Sequence, residues 1–417
     1  MPNSQHGVRS RRRMAAVAGF AAAGLTLAAC GGDDTASGGD SSEPVQIGLI
    51  SPMSGPFADN GTQANLGASL CVEQINDAGG IEALGGAPLE LRKQDTGNAQ
   101  PGQVANQAQS LIDNNDLSAM IGAWASSYTL AIAPVLEQNQ VPLVTESFAD
   151  DIVEQGYQFI FKIPAPASVM GEQGVNVVLQ LAEDNGYEIT TAAVVAENTS
   201  SAQVSAEAAV QRLENAGVQV ANEEYFEPGL TDANSLAITV LSGDPQFLFA
   251  QAGLADMQVL QEALASHGYT GPILGAGSAL VNPHYFETVG EVGDGVFTSA
   301  GWNWDLPGAE EFGEQFVERN PEFDFAGQEA GEDCAAVYGI AAALEDAGSR
   351  DPVAVRDALA ELRIEEGPAA MVSSGALEFE ENGQLKDAVP VIVQWQDGKP
   401  RTVFPEDIAS ADPVFVD

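Results

Sequence analysis

The stretch Ala119-Met-Ile-Gly-Ala-Trp-Ala-Ser-Ser-Tyr-Thr129 opens as a buried strand, turns through small, aromatic and hydroxyl residues, and enters a helix carrying Ala131 to Leu136. An uninterrupted apolar run, rather than an alternating one, fits a strand covered on both faces. The unit recurs on either side. Upstream, Val45-Gln-Ile-Gly-Leu-Ile50 is closed by the loop Ser51-Pro-Met-Ser-Gly-Pro56. A helix with Leu66, Leu70 and Ile75 on one stripe follows and stops at Asp77-Ala-Gly-Gly80. Leu89-Glu-Leu-Arg-Lys93 is the next strand, and the helix after Pro101 carries Leu111 and Ile112 on its apolar side. Downstream, Val141-Pro-Leu-Val144, Thr190 to Val195, Phe247-Leu-Phe-Ala250 and Pro272-Ile-Leu274 read as strands. Between them Ala206, Val210 and Leu213 form a helical stripe stopped at Gly217, and another helix runs through Leu260. Val337, Ile340, Ala341 and Leu344 mark a late helix with Gly348 as its stop.

Strand–helix alternation of this period implies parallel sheets covered by helices on both faces. Two such series, each too long for one sheet, predict an α/β chain of two doubly wound lobes. Ligands of such folds sit beyond the carboxyl ends of the strands, so the loops after each strand are where a site is sought.

The 417 residues include 60 Asp and Glu against 15 Lys and Arg. Four of the basic residues (Arg9, Arg11, Arg12 and Arg13) precede Cys30, where no acidic residue falls; the chain from Cys30 onward carries 11 basic against 60 acidic residues. A field of that sign repels nucleic acid, whose binding relies on Lys and Arg. With 45% hydrophobic residues the chain has ample material for packed cores, and its 44 glycines and 22 prolines punctuate many short elements.

The first residues form an address. A basic segment, Arg9-Ser-Arg-Arg-Arg13, precedes an apolar, Ala-rich stretch from Met14 to Ala29 that is short for a membrane span. It ends in Leu27-Ala-Ala-Cys30, which resembles the lipobox of bacterial lipoproteins. That resemblance implies a signal peptide over 1–29 and a lipid on Cys30. Residues 30–43 are a Gly/Ser/Asp tether. The expected location is extracytoplasmic, held at the outer face of the cell membrane. Ser10-Arg-Arg-Arg-Met14 is also similar to a twin-arginine signal, so the export route stays open. Cys71 and Cys334 remain; an exported chain allows a disulfide between them, and two buried free thiols are the alternative.

No catalytic constellation is present. The sequence lacks a Gly-x-Ser-x-Gly elbow, a Gly-x-x-x-x-Gly-Lys phosphate loop and a His-Glu-x-x-His pair. Past Cys30 only His267 and His284 occur, far from either cysteine, which disfavours a metal site. The chain reads as a non-enzyme without cofactor or metal. The loop after Met120 offers Ser126, Ser127 and Thr129 at a helix N-terminus, where hydroxyls and free N–H groups can hold a carboxylate. Alone, the motif also fits simple capping, and Trp124 beside it fits a core residue.

Taken together, Ser54-Gly-Pro-Phe57 with Gly61, Asn76-Asp-Ala-Gly-Gly-Ile81, Ile121 to Thr129, Val141 to Ser147, Gly156-Tyr-Gln-Phe-Ile-Phe161, Ala347-Gly-Ser-Arg-Asp351 and Gly375 to Gly383 carry a resemblance. Over residues 44–400 the series resembles the type I periplasmic binding proteins of branched-chain amino-acid ABC transporters, the leucine/isoleucine/valine-binding type. The resemblance implies two lobes, 44–163 with 302–371 and 164–301 with 372–417. Three crossovers, near Phe161–Pro164, Phe297–Trp302 and Ala370–Leu377, would join them. Position by position, Ser126 matches the serine that receives the ligand's carboxylate and Trp124 a pocket wall. Ser147 and Phe148 match a second contact loop, and Asn60 falls where a wall aromatic is common. Ser201, Gln251 through Gly253, and Gly277 match second-lobe positions facing the ligand, and Trp302 could face it too.

The chain departs from that pattern at the ligand's ammonium. The family's acidic residue should fall near Gly277, and the tyrosines expected near Ser201 and Gly253 are missing. Either Asp150, Glu197 or Glu146 substitutes, or the solute is not an ordinary α-amino acid; small second-lobe residues would leave room for a bulkier or flatter one. The expected function is that of a monomeric solute-binding lipoprotein which captures an amino acid or related solute by hinge closure and delivers it to ABC permease subunits. A ligand-sensing receptor of the same fold, signalling to a membrane partner, is the alternative.

Overall fold

The computed structural model describes residues 43–415. The expected signal peptide, Cys30 and the tether up to residue 42 lie outside the described residues. The first sheet contains β1 (Val45–Ser51), β2 (Leu89–Asp95), β3 (Leu117–Gly122), β4 (Leu143–Thr145) and β5 (Ile160–Lys162). All are parallel, in the order β2-β1-β3-β4-β5, with Ile47 opposite Leu91 on one side and Ala119 on the other. Helices α1 (Ala58–Asp77), α2 (Pro101–Asp113) and α3 (Ser126–Asn139) provide the crossings. Alternate residues feed opposite faces: Ile47, Leu49 and Ile121 pack with Leu70 and Val337, while Ile50 and Met120 pack with Val104, Leu111 and Ile132. The last residue of β3 is a glycine, Gly122, because a Cβ there would lie 1.9 Å from the Ile50 carbonyl oxygen.

The chain then passes into β6 (Thr191–Glu197), β7 (Gln219–Phe226), β8 (Phe247–Gln251), β9 (Ile273–Ala276) and β10 (Phe297–Ala300). Helices α4 (Ala167–Asp184), α5 (Ser200–Asn215), α6 (Asn234–Leu241), α7 (Leu254–Ser266) and α8 (Tyr285–Val289) accompany them. It returns to the first core through α9 (Glu310–Arg319), α10 (Gln328–Ala347) and α11 (Pro352–Glu361), and through the paired short strands β11 (Arg363–Ile364) and β12 (Leu377–Glu378). Leu377, Phe379 and Leu385 still pack in that core. The final strands, β13 (Val391–Gln396) and β14 (Lys399–Phe404), belong to the second sheet, whose order is β14-β13-β10-β9-β8-β6-β7.

Both sheets are built on parallel strands as expected, and the second adds an antiparallel edge that the strand–helix rhythm did not signal, because β13 runs antiparallel to both β10 and β14. The cause is local. Asp397 and Gly398 both have positive φ, 52° and 75°, which is what a two-residue hairpin turn requires.

Cys71 of α1 and Cys334 of α10 form a disulfide with Cα atoms 5.4 Å apart, joining positions separated by 263 residues. Such a bridge contributes about 2–4 kcal/mol, largely by constraining the unfolded chain. Among the described residues no helix is long and apolar enough to cross a membrane.

Candidate functional site

The carboxyl ends of β3, β6, β8 and β9 empty into one cavity of about 360 Å³. From the first sheet's side it is lined by Phe57, Trp124, Ser126, Ser127, Tyr128 and Phe148; from the other side Glu197, Ser201, Gln251, Gly253 and Gly277 complete it. Ten of the residues singled out in the sequence thus meet there: Trp124, Ser126, Ser127, Phe148, Glu197, Ser201, Gln251, Ala252, Gly253 and Gly277.

The wall on the first side is held from behind. Trp124 has φ of 63°, a left-handed conformation that is uncommon for a bulky residue and costs on the order of 1 kcal/mol. Its carbonyl accepts from the Ser147 hydroxyl at 2.8 Å, and its indole Nε1 donates to Glu329 Oε1 at 2.9 Å. Thr129 lies 2.6 Å from Ser147, hydroxyl to hydroxyl, and both are fully buried. Thr129 and Ser147 therefore stand behind the cavity and support it rather than line it. Asn60 is likewise set back, its amide donating to Glu329 Oε1 at 2.5 Å. Trp302 is not brought to the cavity at all. Fully buried, it meets Phe312 edge-on at 6.1 Å, and a Cβ on Gly331 would fall 2.2 Å from its ring.

At the start of α3 no side chain caps the helix, and the first-turn N–H groups of Ser126 and Ser127 have no intrahelical acceptor. The Ser126 hydroxyl accepts from the Ala149 N–H at 3.1 Å, which leaves its own proton free to be donated. The neighbouring loop is fixed by Lys162, a fully buried ammonium donating to the carbonyls of Phe148 and Ala149 at 3.1 and 3.2 Å. Burial lowers the Lys162 pKa to about 8 against the opposing pull of Asp150, Asp151 and Glu154.

Of the three acids considered as substitutes near Gly277, Glu197 lines the cavity. Asp150 accepts from the Ser168 N–H at 3.1 Å, and Glu146 is buried beneath. Glu197 Oε1 accepts from the Gly253 N–H at 2.6 Å. Burial raises its pKa to about 7, with the Gly253 hydrogen bond opposing and the Asp256 charge assisting. Gln251, beside it, has a buried side-chain oxygen without a hydrogen-bond partner among the described residues.

Sequence reasoning missed two things. Phe57, tilted against Trp124 with centroids 4.9 Å apart, sat inside a quoted loop motif whose side-chain direction only the fold reveals. The second is a set of four buried carboxylates, Glu146, Glu329, Glu332 and Asp333, each at most 2% exposed. Burial pushes all four pKa values up; mutual repulsion adds to it at Glu146, Glu332 and Asp333, while hydrogen bonds from Ser278, Asn60 and Trp124 oppose it at Glu329. Among the described residues no group of three or more His, Cys, Asp or Glu is arranged to hold a metal ion.

Residues 44–399 match the family described as periplasmic binding protein. The Leu/Ile/Val-binding protein homolog 7 of Brucella abortus is 26% identical over 382 residues, covering 89% of this chain and 94% of its own. The leucine-, isoleucine-, valine-, threonine-, and alanine-binding protein of Pseudomonas aeruginosa is 25% identical over 362 residues, 86% of this chain and 92% of that one. The branched-chain amino acid transporter substrate binding protein LivJ from Streptococcus pneumoniae, solved in complex with isoleucine, has the same fold. It superposes with a TM-score of 0.74 at 18% identity, over 90% of this chain and 100% of that one. These relatives are solute-binding proteins, not enzymes. Two wound sheets whose strand ends share one cavity agree with that kinship, and the chain belongs to the periplasmic binding protein family.

Proposed function

We propose that the protein is the solute-binding lipoprotein of an ABC importer, anchored through Cys30, that captures an α-amino acid in this cavity by closure of the two lobes. The observation carrying the reading is Glu197, the one carboxylate among the cavity's lining residues, facing the same space as the uncapped start of α3. A zwitterion needs both ends matched, because a buried ammonium without an anionic partner is costly. The carboxylate sits at the N–H groups of Ser126 and Ser127 and the Ser126 hydroxyl, assisted by the helix dipole. The ammonium sits at Glu197 and the unpaired oxygen of Gln251.

Two experiments test this. Ser126→Ala should weaken amino-acid binding more than tenfold by calorimetric titration; unchanged affinity would leave Ser126 as no more than part of a helix start. Cys30→Ser should move the protein from the membrane fraction of cells to the soluble one, and persistent membrane retention would refute the lipid anchor.

A further inference from the structure

The cavity's apolar surface has an unusual composition. Four aromatic rings line it, those of Phe57, Trp124, Tyr128 and Phe148, and no leucine, isoleucine, valine or methionine does. The facing wall is made of small residues, Ala252, Gly253, Ala276, Gly277 and Ala279 among them. Aliphatic contact is limited to single methyl groups such as those of Ala252, Ala276 and Ala279, with no branched side chain to interdigitate with a branched ligand. A flat ring gains instead from other rings set at offset or edge-on angles, with centroids about 4.5–7 Å apart.

These rings are also fixed in advance. The Trp124 indole is tethered through Nε1 to Glu329 and leans on Phe57 at 4.9 Å and 43°. The Tyr128 hydroxyl donates to the Ala99 carbonyl at 2.9 Å. The Phe148 ring is carried by a loop that Lys162 ties down, and its edge lies 3.6 Å from where a Cβ on Gly277 would stand. At Gly277 the backbone has φ of 89°, so the position keeps its glycine and no side chain comes between it and Phe148. Rings held in place by other contacts lose little freedom when a ligand arrives.

We propose that the solute is an aromatic α-amino acid, its ring packed in this cavity against the rings of Phe57, Trp124 and Phe148. This rests on the amino-acid reading above and narrows it to a class of side chain. The test is calorimetric titration of the purified protein with phenylalanine, tyrosine and tryptophan, and with leucine, isoleucine and valine. At least one aromatic amino acid should bind tenfold or more tighter than leucine, a difference of about 1.4 kcal/mol. Phe148→Leu should collapse that ratio, whereas Ser126→Ala should weaken both ligands by the same factor and preserve it. Phe57→Leu gives a second route to the same collapse should the Phe148 variant fold poorly. Leucine binding as tightly as every aromatic amino acid would overturn the aromatic assignment while leaving the amino-acid reading intact. Failure of all six to bind would overturn both.

Discussion

Glu197→Gln should lower the affinity for an α-amino acid about a hundredfold, with the loss confined to ligands that carry an ammonium group. Removing one partner of a desolvated charge pair costs about 2–5 kcal/mol, and a hundredfold corresponds to about 3 kcal/mol within that range. The pH dependence separates this from a packing effect. With its pKa raised to about 7, Glu197 is protonated in the free protein below neutrality, where it no longer offers a charge. Wild-type affinity therefore falls as pH drops below about 7, by as much as tenfold per unit, while the glutamine variant binds weakly and almost independently of pH. Titration calorimetry at pH 5.5, 6.5 and 7.5 reads both effects. A wild-type affinity flat across that range would remove Glu197 from the site.

Stability has the opposite dependence on acid. The folded protein should melt at a higher temperature as pH falls from about 8 toward 5. Glu146, Glu329, Glu332 and Asp333 hold their protons more tightly folded than unfolded, because burial penalises their charged forms. Between the ordinary carboxylate range and the raised values, Glu146 reaching about 8, the folded state binds more protons than the unfolded one. Stability then declines with rising pH by about 1.4 kcal/mol per unit for each such carboxylate. No lysine, arginine or histidine among the described residues forms a salt bridge to any of the four. Thermal melts in 1 M salt distinguish this from the repulsion of an acidic surface, which salt screens. Glu146→Gln should flatten the slope and raise the melting temperature at pH 8. A melting temperature that falls on acidification over this interval would show the cluster to be ionised and compensated.

Seven of the twelve strands in the two sheets were legible as short apolar runs bounded by turn residues, and Val45–Ser51, Leu117–Gly122 and Phe247–Gln251 begin or end within two residues of expectation; β5, β7, β10, β13 and β14 were not read as strands. The final hairpin was written in Asp397-Gly398, a turn signal that the strand–helix rhythm overshadowed. In the site, Trp124 and Ser126 could be found because they lie in the loop after β3, where the fold places ligands, whereas Gln251, which closes β8, and Gly277, just after β9, came from the family resemblance. Trp302 also follows a strand, β10, yet its ring turns into the core against Gly331 and Phe312. Nothing in local spacing encodes that direction. The buried acids were illegible for a different reason. Among 60 carboxylates in the sequence, Glu146 and the three in the first turns of α10 carry no local mark, and only long-range packing excludes water from them.

The central claim is that one cavity grips both ends of an amino acid. It is tested most directly by titrating the purified protein with phenylalanine, with its amine counterpart lacking the carboxylate, and with its acid counterpart lacking the ammonium. Side chain and cavity contacts stay constant across the three, so each comparison isolates one end. The account predicts that phenylalanine binds at least a hundredfold tighter than either counterpart. An acid lacking the ammonium that binds as tightly as phenylalanine would contradict it, and would leave Glu197 without a ligand to hold.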